Sequence, residues 1–411
     1  MAEVNIKPSS KKILFITYDG LTDPLGQSQI LPYYLGLAER DYNIHILSNE
    51  KRENFQQFGK IVEEKLQNKN IAWRYTFYQN TPPILGTLLN IRRLKRQLTN
   101  WYKEIEFDVF HCRSIIPAMI AQNIKIPSAK LVFDIRGFWA DERVEGGLWD
   151  LNNPIYKWMY NFFKKKEKFL FQEADYIISL TENAKKHILN HFNTKGKVQV
   201  IPCAADLDHF DYNALDETKR QQLKKELGIK ENEFILSYIG SLGTRYRLHD
   251  MLRFFKWLKE ENSTSRFLFI SRHNPDYIKE EAKKLDIHLD DLIIAPSSYQ
   301  DIPYFISLSQ ASIFFIVTSF TGKAVSPTKQ AEVMGMGLPI VANAGLGDTD
   351  EILSDQESGI VINDFEDSTL KYAVQKLLNH STKSEVIRAV ALKRFSLQEA
   401  IANYAHVYEN L

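Results

Sequence analysis

The sequence predicts an α/β protein built from two Rossmann-like, doubly wound domains facing each other across a cleft. Three observations carry this. Short apolar runs alternate with longer helical patterns, as parallel sheets covered on both faces by helices require. The alternation lapses after "VQVIP" and restarts at "EFILSYIG". The chain also has 411 residues, 44% hydrophobic and 25% charged, enough to bury two cores.

Taken in order, "KILFITYD" from Lys12 is a buried strand, followed by a Gly-containing loop and the helix pattern "SQILPYYLGLAER". "YNIHILSN", "FDVFHCR", "KLVFDIR", "ADYIISLT" and "VQVIP" complete the first set of strands. The second set is "EFILSYIG", "SRFLFISR", "DLIIAP", "ASIFFIV" and "LPIVAN", spaced by helix patterns such as "LHDMLRFFKWLKEE". Between the sets lies a polar segment without strand pattern, which puts the domain boundary near Cys203. No fixed-period repeat is present; the halves repeat in pattern alone. Ligands of such sheets bind beyond the carboxyl ends of the strands, so the informative residues should follow strands.

Bulk composition narrows the function classes. A net charge of +1 gives no global field for nucleic acid. Two cysteines, Cys112 and Cys203, form no disulfide framework and suggest a reducing compartment. "MAEVNIKPSSKK" has no apolar signal region, and no run of about 18 apolar residues occurs. The expectation is a cytoplasmic protein, with contact to the inner face of a membrane left open. Two basic amphipathic stretches raise that contact, near 83–103 ("NIRRLKRQLTNWYK") and 154–172. In the second, Ile155, Trp158, Met159, Phe162, Phe163, Phe169 and Leu170 are read as one face, with Lys157, Lys164, Lys165 and Lys168 elsewhere. An ordinary surface helix packed by its apolar stripe fits the same pattern.

The densest chemistry lies in "SPTKQAEVMGMGLPIVA". Ser326 reads as a helix N-cap and Pro327 as the first helical residue. The free amides of that turn make an anion site, to which Lys329 adds a mobile charge. Glu332 can accept two hydrogen bonds from vicinal hydroxyls, as acidic residues do with nucleotide ribose. A nucleoside diphosphate presents this set of groups. A capped helix with an i, i+3 ion pair would look the same locally.

The wider sequence resembles the retaining, metal-independent glycosyltransferases of family 4, which have the GT-B fold. "SPTKQAEVMGMGLPIVANAGLGDTDEIL" is similar to that family's donor segment, and "TYDGLTDPLGQSQILPYYLGLAER" to its first strand and glycine loop. "ADYIISLTENAKKHIL", "VQVIPCAADLDHF" and "FSLQEAIANYAHVYENL" follow in the family's order. The resemblance implies an acceptor domain over 1–203 plus a returning helix over 395–411, and a donor domain over 204–394.

It also implies roles. The second Glu of the donor motif falls on Glu332; the first falls on Ala324, a departure, so amides around Val325 and Ser326 are expected to hold the sugar. Diphosphate contacts fall on Gly240 and Lys329 with at least one of Arg245 and Arg247, two solvated loop arginines being the alternative; Ser241 stands in place of the usual arginine. Gly26 is expected at the turn before the first helix, close to donor phosphate or acceptor. Arg136 stands where the family often has a histidine, so Arg136, Arg247 and Lys329 are the expected catalytic cations. Asp134, Arg136, Asp141 and Glu142 are expected around the acceptor, with a structural ion-pair network as the alternative. Tyr299 is placed near the nucleobase or in ordinary packing. "DLD" (Asp206–Asp208) and "DTD" (Asp348–Asp350) match D-x-D, but neither has the further ligands of a metal site; no metal and no cofactor are expected. The implied activity is transfer of a hexose from a nucleoside diphosphate sugar to a hydroxyl of a glycan or lipid-linked acceptor, in cell-surface polysaccharide or glycoconjugate synthesis. A non-catalytic nucleotide- or glycan-binding subunit and a nucleotide-sugar epimerase of the same fold are the alternatives.

Overall fold

The computed structural model describes residues 11–80, 82–124, 129–355 and 357–411. The chain divides into two compact units, Met1–Pro202 with Leu397–Leu411, and Cys203–Ser396.

The first unit carries a seven-stranded parallel sheet. Its strands are β1 (Lys12–Thr17), β2 (Asn43–Glu50), β3 (Ala72–Phe77), β4 (Val109–Arg113), β5 (Lys130–Asp134), β6 (Tyr176–Ser179) and β7 (Lys197–Val200). They lie in the order β3-β2-β1-β4-β5-β6-β7. The second unit has β8 (Ile235–Ile239), β9 (Arg266–Ile270), β10 (Leu292–Ala295), β11 (Ala311–Phe314), β12 (Ile340–Asn343) and β13 (Gly359–Ile362), ordered β10-β9-β8-β11-β12-β13. Each order reverses direction once, between β1 and β4 and between β8 and β11. Loops leaving these strands diverge, which opens a crevice at the carboxyl end of each sheet.

The central strands are continuous runs of Ile, Leu, Val and Phe because helices bury both faces. Two strands had no counterpart in the sequence reading, β3 and β13, and both are sheet edges. An edge strand is half exposed, so "AWRYTF" mixes polar and aromatic residues, and "GIVI" is only four residues long.

The predicted helix "SQILPYYLGLAER" is two helices, Pro24–Gln29 and Leu31–Ala38, broken at Ile30. Pro32 removes the amide that would carry the ladder across the break. Gly26 therefore lies inside the first helix, not in the turn before it. A Cβ there would collide with the Gly20 carbonyl and the Leu21 Cα, so the glycine serves close helix–loop packing. The facing loop is pinned by buried Glu50, whose carboxylate accepts from the amides of Leu21 (2.8 Å) and Thr22 (3.0 Å).

The Leu397–Glu409 helix belongs to the first unit and buries Ile401, Tyr404 and Tyr408 there. Ile401 packs on Gly36, and the Tyr42 hydroxyl donates to Glu409 (3.2 Å).

The Pro154–Glu173 helix corrects the single apolar face read from the sequence. Phe163, Glu167, Leu170 and Phe171 point inward, whereas Ile155, Trp158, Phe162 and Phe169 point outward, Trp158 being 67% exposed. The Pro83–Glu104 helix buries Leu94, Leu98 and Trp101 and likewise exposes Leu85, Leu88 and Leu89. Among the described residues no helix is long and apolar enough to cross a membrane.

Candidate functional site

In the second unit, β8 is followed by Gly240, whose φ of +103° is open to glycine and strained for any other residue. The chain continues to Tyr246, which forms an isolated bridge with Ile316 just beyond β11. Tyr238 and Tyr246 meet edge to face, ring centroids 5.8 Å apart. Lys329 enters this corner from the Thr328–Gly335 helix, and its Nζ lies 4.1 Å from the centroid of each ring. The Nζ is fully covered and, among the described residues, has no hydrogen-bond partner.

Electrostatics follow from that geometry. Burial pulls the Lys329 pKa from 10.5 down to about 7, opposed only by Glu332 one turn on. Glu332 is pushed up by burial to about 7, opposed by Lys329. The pair is poised between charged and neutral forms, and an arriving anion would restore the ammonium.

The helix begins one residue later than expected. Pro327 is the N-cap, no side chain caps the first turn, and the Ser326 hydroxyl instead accepts from the Cys203 amide (3.1 Å). Lys329 thus sits beside a helix N-terminus without a side-chain cap, an arrangement suited to phosphate.

Other expected donor residues are distributed differently. The Val325 amide donates to the Gly322 carbonyl (3.0 Å), closing the turn through Phe320–Ala324, so it is not available to a sugar hydroxyl. Arg245 donates to Thr321 Oγ1 (3.1 Å). Arg247 pairs with Asp250 (2.6 Å) and lies over Phe365. Both arginines flank Tyr246: Arg245 lies in the turn closed by the Tyr246 amide on the Gly243 carbonyl (3.0 Å), and Arg247 is the N-cap of the Leu248–Glu261 helix. Tyr238 and Tyr246 are the residues that sequence reasoning missed; the signal was the aromatics on either side of "GSLGTR". Tyr299 stacks on His209 at 4.8 Å and is half exposed, and the charge of Glu332 helps keep its hydroxyl protonated after burial.

In the first unit the charged run after β5 separates into distinct groups. Asp134 is 1% exposed and faces inward. Its carboxylate lies 3.7 Å from both Arg136 and His111 and accepts from the Tyr404 hydroxyl (3.3 Å). Burial alone would raise its pKa, but Arg136, His111 and Arg113 hold it below the usual range. His111 is kept neutral by burial, with its Nδ1 between the hydroxyls of Tyr408 (2.7 Å) and Tyr34 (3.1 Å). Asp141 accepts from Tyr160 (2.8 Å) and Lys164 (2.7 Å), and Lys164 also bonds Glu167. Glu142 lies against Gly137, whose φ is +144°. Arg143 is set apart and stacks on Trp139 at 4.0 Å.

Of the two D-x-D matches, Asp206 accepts from the amides of Asp208 and His209, and Asp350 from that of Gly345. Among the described residues no group of three His, Cys, Asp or Glu is placed to hold a metal ion.

Comparison with known proteins puts these features in a family. The Glycosyltransferase Family 4 profile matches residues 34–209 and the Glycosyl transferases group 1 profile residues 219–394. An uncharacterised glycosyltransferase of Methanocaldococcus jannaschii is 22% identical over 91% of each chain. The N-acetyl-α-D-glucosaminyl L-malate synthase of Bacillus anthracis is 20% identical over 93% of this chain and 94% of its own. The structure of Anabaena HepE in complex with UDP and glucose superposes with a TM-score of 0.68 at 14% identity, covering 98% of this chain and all of the other. With both units matched in order and both sheets doubly wound, the chain belongs to the family 4-like, group 1 glycosyltransferases of the GT-B fold.

Proposed function

We propose that this glycosyltransferase moves a hexose from a nucleoside diphosphate sugar to an acceptor hydroxyl, with retention at the anomeric carbon and without a metal ion. The observation that carries the donor assignment is Lys329, a covered ammonium that has no hydrogen-bond partner among the described residues and sits beside a helix N-terminus without a side-chain cap. Such a group is costly in the free protein and becomes favourable when a diphosphate arrives. As the glycosidic bond breaks, negative charge grows on the leaving phosphate, and Lys329 with the helix amides stabilises it there. Glu332 takes the ribose hydroxyls. Arg136 and Arg247 are each held by a carboxylate, and this reading does not need them at the reacting atoms. The UDP and glucose bound by Anabaena HepE make uridine the first base to test.

The second element of the proposal is a seat on an anionic membrane surface. The outward aromatics of Pro154–Glu173 are interspersed with Lys157, Lys165, Lys166 and Lys168, and the exposed leucines of Pro83–Glu104 precede Arg92, Arg93, Lys95 and Arg96. The net charge of +1 also conceals an asymmetry. The first unit has 29 Lys and Arg against 23 Asp and Glu; the second has 23 against 28.

A donor panel tests the activity. Uridine, guanosine and adenosine diphosphates and their hexose conjugates are scored by thermal shift and by diphosphate release in chelator, against Glu332→Ala. One nucleotide should stabilise the protein, lose its effect in the mutant and be released slowly from its sugar. Binding without release would favour a non-catalytic subunit, and donor conversion without acceptor an epimerase.

A further inference from the structure

Arg143 raises a question that the donor site does not answer. It lies on the short Trp139–Glu145 helix that follows β5. Its guanidinium packs 4.0 Å from the ring of Trp139 and 5.9 Å from that of Trp149. The Nε is covered, and among the described residues the side chain has no hydrogen-bond or ion-pair partner. The neighbouring arginines differ: Arg113 and Arg136 face Asp19 at 3.5 Å and Asp134 at 3.7 Å. Asp141 is already held by Tyr160 and Lys164. Glu142, Tyr18 and Tyr78 lie within electrostatic reach, and burial still draws the guanidinium below its ordinary pKa.

The surroundings are braced. The Arg143 carbonyl accepts from the amides of Leu148 (2.9 Å) and Trp149 (3.0 Å), which fixes the backbone on which the guanidinium stands. Trp139 packs edge-on to Trp149 and tilts onto Phe163. Tyr18, just past β1, meets Tyr78, just past β3, edge to face at 5.9 Å, and accepts from Asn90 (3.1 Å). These residues follow β1, β3 and β5, so they gather at the carboxyl end of the first sheet, where ligands of such sheets bind. A guanidinium so placed offers a planar fork of donors suited to a phosphate or carboxylate.

We infer that Arg143, with Trp139, Tyr18 and Tyr78 around it, forms a subsite for an anionic group on the acceptor, carried beside the hydroxyl that receives the sugar. The inference rests on the transferase reading and narrows its acceptor to molecules bearing a phosphate or carboxylate. The same chemistry is found on a soluble sugar phosphate and on a lipid phosphate.

Calorimetry on the full chain separates the sources and the two sites. Glucose 1-phosphate and geranyl phosphate are titrated beside glucose and geraniol, and UDP serves as the donor probe. The proteins are wild type, Arg143→Met, Arg143→Lys and Lys329→Met. At least one phosphate probe should bind more tightly than its neutral counterpart. Arg143→Met should weaken that binding tenfold to a hundredfold, the range for losing a charge-assisted pair, with Arg143→Lys in between. Lys329→Met should leave phosphate-probe binding unchanged and remove UDP binding; Arg143→Met should do the reverse. The melting temperature excludes a purely structural role, because a cation that only cements tryptophans would lower it in Arg143→Met without moving probe affinity. That result, or equal binding of phosphate and neutral probes, overturns the inference while UDP binding keeps the donor site. Phosphate-probe binding through Arg143 without any UDP binding overturns the donor site instead.

Discussion

Replacing Lys329 by methionine should make the protein more stable and unable to bind its nucleotide. Methionine keeps the apolar contact with Tyr238 and Tyr246 and removes the charge. The displacement of the lysine pKa from 10.5 to about 7 sets the cost of keeping an ammonium in that corner. At about 1.4 kcal/mol per pKa unit, the fold gives up about 4 kcal/mol at pH 7 relative to a lysine in water. The two rings return about 1 kcal/mol each. Glu332, left without its partner, takes back about 1 kcal/mol more through a further rise in its own pKa. The net gain is about 1 kcal/mol, or a melting temperature higher by about 2–4 °C. The gain should be present at pH 7 and fade as pH rises toward 10.5, where lysine in the unfolded chain is also neutral. Thermal melts at pH 7 and pH 10, with UDP titrations alongside, read both effects. A Lys329→Met protein that melts lower than wild type, or binds UDP unchanged, would refute the reasoning, since the ammonium would then be well solvated and remote from the ligand.

Two further substitutions probe neighbouring parts of the account. Gly240→Ala forces a side chain into a backbone with φ +103°, 3.4 Å from Lys329 Nζ, and should cost about 1–3 kcal/mol in urea denaturation together with nucleotide affinity. Trp158→Ser with Phe162→Ser alters only outward residues and should lower sedimentation with phosphatidylglycerol vesicles roughly tenfold at unchanged melting temperature; an unchanged vesicle affinity would leave the aromatic face without a membrane role.

The sheets were legible because central strands are buried on both faces and read as unbroken apolar runs. β3 and β13 escaped because an edge strand keeps polar or short sequences. In the second unit, Lys329 and Glu332 lie one turn apart and were readable as a pair. The tyrosines were not: Tyr238 is inside a strand and Tyr246 in a loop, and they meet only where the β8 and β11 connections diverge. Spacing alone could not show that Arg245 and Arg247 flank the residue that touches Lys329. Asp134, Arg136, Asp141 and Glu142 were read from the sequence as one group around the acceptor. Folding distributes it, pairing Asp134 and Asp141 with interior donors and leaving Arg143 on its tryptophan. The first helix turn was misplaced because Ser326, a good cap by type, is used by the Cys203 amide.

The central claim is that Lys329 is the diphosphate site, and proton uptake tests it most directly. With a free-state pKa of about 7, Lys329 is mostly neutral at pH 8, and a bound diphosphate would recharge it. UDP titrated calorimetrically at pH 8 in two buffers of different ionisation enthalpy should report uptake of most of one proton per nucleotide. The uptake should vanish in Lys329→Met. UDP binding in wild type with no proton uptake, or with uptake that survives the substitution, would contradict the account.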